Sequence, residues 1–170
     1  GRNRYHYFTS ATQAEALMRQ RTTSDLRSAL AGNQFVVYYQ PVVELASGAV
    51  RKAEALIRWQ HPLLGRVNPT EFIAIAEETG MIIDIGNWVF REAARQAAHW
   101  RMAYHEDFQI SINKSPVQFH EGEGKHEPWI EFLRKLGLPG KNIVVEITEG
   151  LLLNTDSTVT DKLLAFSEAG

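Results

Sequence analysis

The stretch Val50-Arg51-Lys52-Ala53-Glu54-Ala55-Leu56-Ile57-Arg58-Trp59 divides into two chemically distinct faces. Side chains of a strand point alternately to its two sides. Ala53, Ala55, Ile57 and Trp59 share the apolar side, and Lys52, Glu54, Leu56 and Arg58 share the other. Upstream, Phe35 to Leu45 (FVVYYQPVVEL) is rich in β-branched and aromatic residues and predicts another strand. Pro41 lacks a backbone N–H, which places it on an edge or at an irregular strand end. The turn Ala46-Ser47-Gly48-Ala49 is short enough to make the two strands an antiparallel hairpin.

Outward from the hairpin the period changes. Before it, residues 9–31 are helical, with Ala14, Leu17, Met18, Leu26 and Leu30 at roughly helical spacing and Gly32-Asn33 as a stop. After it, Asn68 can cap a helix whose first position is Pro69, with Glu71 placed as in a capping box. That helix ends at Gly80, and a longer apolar-periodic one runs from about Ile82 to Met102. Phe108 to Asn113 predicts a strand, Trp129 to Leu136 a helix closed by Gly137, and Asn142 to Thr148 a strand. Asp156 or Ser157 would cap a last helix. Alternating helices and strands with short connections imply parallel strands with helical crossovers. Four strands are expected in the main domain. A closed (β/α)8 barrel takes about 250 residues, so 170 residues hold about half of one, or a small open sheet.

Composition sets outer limits. Hydrophobic residues are 44% and charged residues 22%, as in globular domains. The net charge of −2 gives no basic footprint for a nucleic-acid polymer. Without cysteine there is no disulfide and no thiolate metal site, which fits a cytoplasmic domain. No apolar run reaches the roughly 20 residues of a membrane helix, although a parent protein anchored elsewhere is compatible with this.

The polar faces carry the chemistry. Glu54 stands on the second strand; Gln109, Ser111 and Asn113 on the third; Val144, Glu146 and Thr148 on the fourth. Isolated buried carboxylates are costly unless paired or metal-bound. Two carboxylates and an amide oxygen would suit Mg²⁺ or Mn²⁺ rather than zinc. The same alternation is compatible with ordinary polar layers in which Lys or Arg neutralises the carboxylates. Arg58 could pair with Glu54 in that way. The histidines lack metal-ligand spacing, His61 before Pro62 reads as structural, and the run around Glu121, Glu123 and Glu127 reads as a solvated loop.

Several segments carry a resemblance together: Tyr38-Tyr39-Gln40-Pro41, Glu54-Ala55-Leu56-Ile57-Arg58-Trp59-Gln60-His61-Pro62, Phe72-Ile73 with Ala76-Glu77-Glu78-Thr79-Gly80, Ser111-Ile112-Asn113-Lys114-Ser115-Pro116, and Glu146-Ile147-Thr148-Glu149. In this order and spacing the chain resembles the EAL domains of cyclic-di-GMP phosphodiesterases, over about residues 24–170. Glu15-Ala16-Leu17 spells the same three letters without the companions. The resemblance implies a TIM-like (β/α)8 barrel with an antiparallel first strand, of which about the first half is in this chain. It implies hydrolysis of cyclic-di-GMP to linear pGpG, with Mg²⁺ or Mn²⁺ held by Glu54, Asn113 and Glu146. Glu54 would be the catalytic ligand. Gln40, Leu56 and Arg58 would contact substrate, and Glu149 would anchor a loop.

The tail Gly1-Arg2-Asn3-Arg4-Tyr5 with Phe8 is similar to the end of a GGDEF domain. The implied division is therefore 1–8 as the tail of that domain, 9–31 as a linker helix and 32–170 as the front of the EAL domain. A GGDEF domain in the same parent chain and a homodimer are the implied partners besides cyclic-di-GMP. Lys114 departs from the small or apolar residue usual in the family, and would either perturb the site or point outward. The family's later Asp-Asp pair, Lys and Glu are not among these residues, so the 170 residues alone would be inactive. A non-catalytic cyclic-di-GMP receptor and a scaffold are the rival readings.

Overall fold

The computed structural model describes residues 10–119, 126–149, 151 and 157–170. The proposed GGDEF tail and most of the acidic run lie outside the described residues. In chain order the elements are α1 (Ser10–Ala29), β1 (Phe35–Val43), β2 (Val50–His61), β3 (Gly65–Val67), α2 (Pro69–Thr79), α3 (Ile82–Ala103), β4 (Gln109–Asn113), α4 (Trp129–Leu136), β5 (Ile143–Glu146) and α5 (Ser157–Glu168). Short 3-10 turns occupy Pro116–Phe119 and Gly140–Asn142.

One sheet of 5 strands runs β1-β2-β4-β5, with β3 pairing β2 off that path. β1 and β2 are antiparallel, as the short turn requires, with Gln40 opposite Glu54. Pro41 lies on edge strand β1 opposite Ala53, and the register shifts just beyond it, between Val42 and Val43. β2–β4 and β4–β5 are parallel. The strand count differs from the sequence expectation through β3. That strand is only 3 residues long, too short for any periodicity, and exists because the chain folds back after Pro62 to pair with Trp59, Gln60 and His61.

The apolar face of the sheet is covered by helices. Ala53, Ala55, Phe108, Ile110, Ile112 and Ile143 are buried against Phe90, Ala93, Ala94, Ala97, Trp129 and Leu133 of α3 and α4. Alanines on both sides let the α3 backbone lie close to β2 and β4. A second core joins Leu26 and Ala29 of α1 to Phe35, Trp59, Phe72 and Ile85. Leu17 and Met18 of α1 stay exposed. His61 is structural, as read: its Nδ1 accepts from the N–H groups of Leu63 and Leu64, and Nε2 lies 3.2 Å from Asp25 of α1.

Helix ends follow local chemistry. Asn68 Oδ1 accepts from Thr70 N, and Gly80 closes α2 at φ 76. Gly137 closes α4 at φ 67, a left-handed conformation in which a side chain would be strained. Asn142 precedes β5 instead of opening it. It is fully buried, with Nδ2 donating to the carbonyls of Glu106 and Phe108 at 2.9 and 2.8 Å. Among the described residues no helix is long and apolar enough to cross a membrane.

Candidate functional site

Parallel strands direct their C-terminal ends toward one side of the sheet, where ligands of such folds bind. Asn113 is the last residue of β4 and Glu146 the last of β5, and they are direct register partners. Glu54 lies one strand over, opposite Ser111. Its Oε1 accepts from Asn113 Nδ2 at 2.8 Å. Asn113 is exposed and Glu54 and Glu146 are half-buried, so this end of the sheet is open to solvent.

The polar-layer alternative is realised at one point. Lys52 Nζ lies 3.3 Å from Glu146 Oε1. Both side chains are more than a third or close to a third exposed, at 33% and 40%, so the pair is weak. Arg58 does not neutralise Glu54 among the described ion pairs. Its Nη1 donates to its neighbour's carbonyl, Ile57 O, at 2.8 Å, and its guanidinium lies 5.8 Å from the Tyr38 ring centre.

A cleft of about 340 Å³ adjoins the trio. Leu56, Arg58, Asn113 and Glu146 line it together with Glu77, Ser115 and Gln118. Gln40 is exposed on β1 beside Glu54, outside the cleft lining. Glu149 is exposed, and residues 150 and 152–156 after it lie outside the described residues.

Sequence reading missed Glu77 as a cleft residue. Ser115 Oγ donates to its Oε1 at 2.7 Å, joining α2 to the segment after β4. Its position within the quoted Ala76-Glu77-Glu78-Thr79-Gly80 segment was the available signal. Lys114 does not point outward: it is 8% exposed, with its ammonium among aromatic rings. Glu127, read as part of a solvated loop, is gripped by Lys135 and Arg91, and its carboxyl is held below the usual range chiefly by the Lys135 hydrogen bond.

Among the described residues no group of three His, Cys, Asp or Glu side chains forms. The trio consists of two carboxylates and an amide, all able to present hard oxygen donors. That donor set fits Mg²⁺ or Mn²⁺. Ser111, the neighbour of Glu54 across the ladder, is fully buried, and its Oγ has no hydrogen-bond partner among the described residues.

The chain is 38% identical over 149 residues to the bifunctional diguanylate cyclase/cyclic di-GMP phosphodiesterase MucR of Pseudomonas aeruginosa, covering 88% of this chain and 22% of that protein. It is 32% identical over 170 residues to the cyclic di-GMP phosphodiesterase PdeR of Escherichia coli, covering 100% of this chain and 25% of that protein. The chain thus spans a quarter or less of the length of these curated relatives. Its fold matches the solved structure of the PaMucR phosphodiesterase in complex with c-di-GMP, with a TM-score of 0.76 and 34% identity over 88% of this chain and 60% of that one. The family model described as the EAL domain matches residues 23–170, and the chain belongs to the EAL domain family.

Proposed function

We propose that the protein carrying this chain is a metal-dependent phosphodiesterase that opens cyclic-di-GMP to linear pGpG. The observation that carries this reading is the Asn113–Glu54 hydrogen bond together with the Asn113–Glu146 register pairing on three adjacent strands, beside a cleft lined by Arg58 and Leu56. The likeness to MucR, in sequence and in its c-di-GMP complex, supports the substrate class. It also supports a cyclase domain in the same parent chain.

Glu54, Asn113 and Glu146 would hold Mg²⁺ or Mn²⁺. A cation there supplies Lewis acidity and a nucleophilic water at neutral pH. For that, Lys52 must release Glu146, a small change for so exposed a pair. Arg58 uses Nη1 on the Ile57 carbonyl, and its remaining fork of donors matches a phosphate oxygen. Leu56 forms apolar lining of the cleft, and Gln40, beside Glu54, reaches the substrate from the edge strand. Glu149 would anchor a loop.

The test is hydrolysis of cyclic-di-GMP by the full-length protein with and without Mn²⁺. Turnover that needs the metal and is abolished by Glu54→Ala is expected. The Lys52–Glu146 pair favours one rival, a receptor in which Lys52 takes the cation's place. Tight binding of the dinucleotide with no turnover in either metal would establish that rival instead.

A further inference from the structure

Lys114 is an unusual residue to find inside a protein. Lysine is almost never fully buried unless its charge is compensated. Here it is 8% exposed, and its Nζ stands 3.8 Å from the centre of the Trp129 ring. The rings of Phe119 and Phe166 lie at 5.1 and 5.8 Å from that Nζ. The three rings come from three elements: α4, the turn after β4, and α5. A desolvated ammonium over Trp is the strongest form of this contact.

The main wall of the enclosure is itself fixed. Trp129 stacks on Phe90 of α3 at 4.3 Å and 1°. Its Nε1 donates to Asn87 Oδ1 at 2.6 Å, and Asn87 Nδ2 donates to Ile83 O at 2.9 Å. Trp129 is thus locked to the long helix that backs the sheet. A further tie runs from Lys162 of α5 to the Phe119 carbonyl at 2.6 Å.

Lys114 directly follows Asn113. Its backbone N–H donates to the Glu146 carbonyl at 2.9 Å. One residue therefore joins the main chains of two of the three candidate ligands, while its side chain is riveted to α3 through Trp129. We propose that Lys114 is a positioning residue. By holding the ends of β4 and β5 in register against α3, it sets Asn113 and Glu146 at the right place relative to Glu54. This rests on the proposed metal-binding role of that trio. Partners that orient metal ligands are typically worth 10- to 100-fold in metal affinity.

The experiment is Mn²⁺ titration of the full-length protein by calorimetry, with hydrogen exchange of the segment holding Asn113 as a second readout. Lys114→Met keeps the length and loses the charge; Lys114→Arg keeps a cation for the rings. The expected result is about tenfold weaker Mn²⁺ binding and faster exchange in Lys114→Met, with Lys114→Arg lying nearer the wild type. Phe119→Leu thins the enclosure without touching the lysine, and should weaken Mn²⁺ binding by about threefold. Wild-type affinity in a folded Lys114→Met protein overturns the inference while leaving the proposed function intact. If Lys114→Met does not fold, unchanged affinity in Phe119→Leu overturns it. A wild-type protein that binds no Mn²⁺ overturns the proposed function and this inference with it.

Discussion

Replacing Asn142 by Asp changes one atom and should unfold much of what the site stands on. Asn142 is fully buried, and its Nδ2 uses both N–H groups on the carbonyls of Glu106 and Phe108. Two facing acceptors define the amide's orientation, since a flipped side chain would turn its oxygen toward both. These bonds fasten the segment entering β4 to the segment entering β5, and so fix the two strands that end in Asn113 and Glu146. Asn142→Ala forfeits two hydrogen bonds of about 1 kcal/mol each and leaves the buried Phe108 carbonyl without that donor, for a total near 3 kcal/mol. Asn142→Asp is worse at neutral pH, because a buried carboxylate then faces two carbonyl oxygens; about 4 kcal/mol is expected.

The sign with pH follows from the same geometry. Burial and the two carbonyls would raise the new carboxyl's folded pKa above its unfolded value of about 3.9. Stability is then retained below that unfolded pKa, where the acid is protonated and can donate one bond, and is lost as pH rises through the folded value. Urea unfolding followed by tryptophan fluorescence, at pH 4 and pH 7, reads both effects. An Asn142→Asp protein within about 0.5 kcal/mol of wild type at pH 7, or equally destabilised at both pH values, would refute the reasoning.

Three further outcomes follow from the packing. Burial first, and the Glu92 charge second, push the Tyr39 hydroxyl up to about 12, so stability should fall as pH rises from about 10 to 12; alkaline denaturation of Tyr39→Phe should lack that component. A Cβ on Gly86 would stand 2.1 Å from Gln118 Nε2, and Gln118 Oε1 accepts from Ser115 N. Gly86→Ala should therefore destabilise by about 1 kcal/mol despite its better helix propensity, and Gly86→Ala/Gln118→Ala should remove the clash, as a double-mutant cycle in urea would read. Arg58→Lys, which replaces the guanidinium fork by a single ammonium, should weaken cyclic-di-GMP binding by about tenfold in calorimetry.

Much of this was legible in the sequence because period and punctuation agree. Trp129–Leu136 with Gly137, and Asn68-Pro69 at a helix start, carry their boundaries in local chemistry. The alternation in β2 correctly separated Ala53, Ala55 and Trp59 from Glu54, since burial on one face enforces it. Tertiary features were not legible. β3 is formed by pairing alone, and Asn142 belongs to a turn because its side chain reaches two distant carbonyls. Nothing local to Lys114 announces its burial, which depends on Phe119, Trp129 and Phe166 being brought around it. For the site, alternation offered two outcomes for the carboxylates, and what the fold shows is their polar partners: Asn113 on Glu54, and Lys52 on Glu146.

That division makes one measurement the most direct. A crystal of the protein grown with Mn²⁺, with the metal located by its anomalous scattering, should place an ion roughly 2.0–2.5 Å from oxygens of Glu54, Asn113 and Glu146, with Lys52 displaced from Glu146. An ion bound elsewhere, or none, with Lys52 still on Glu146, would contradict the assignment of these three residues as the metal site.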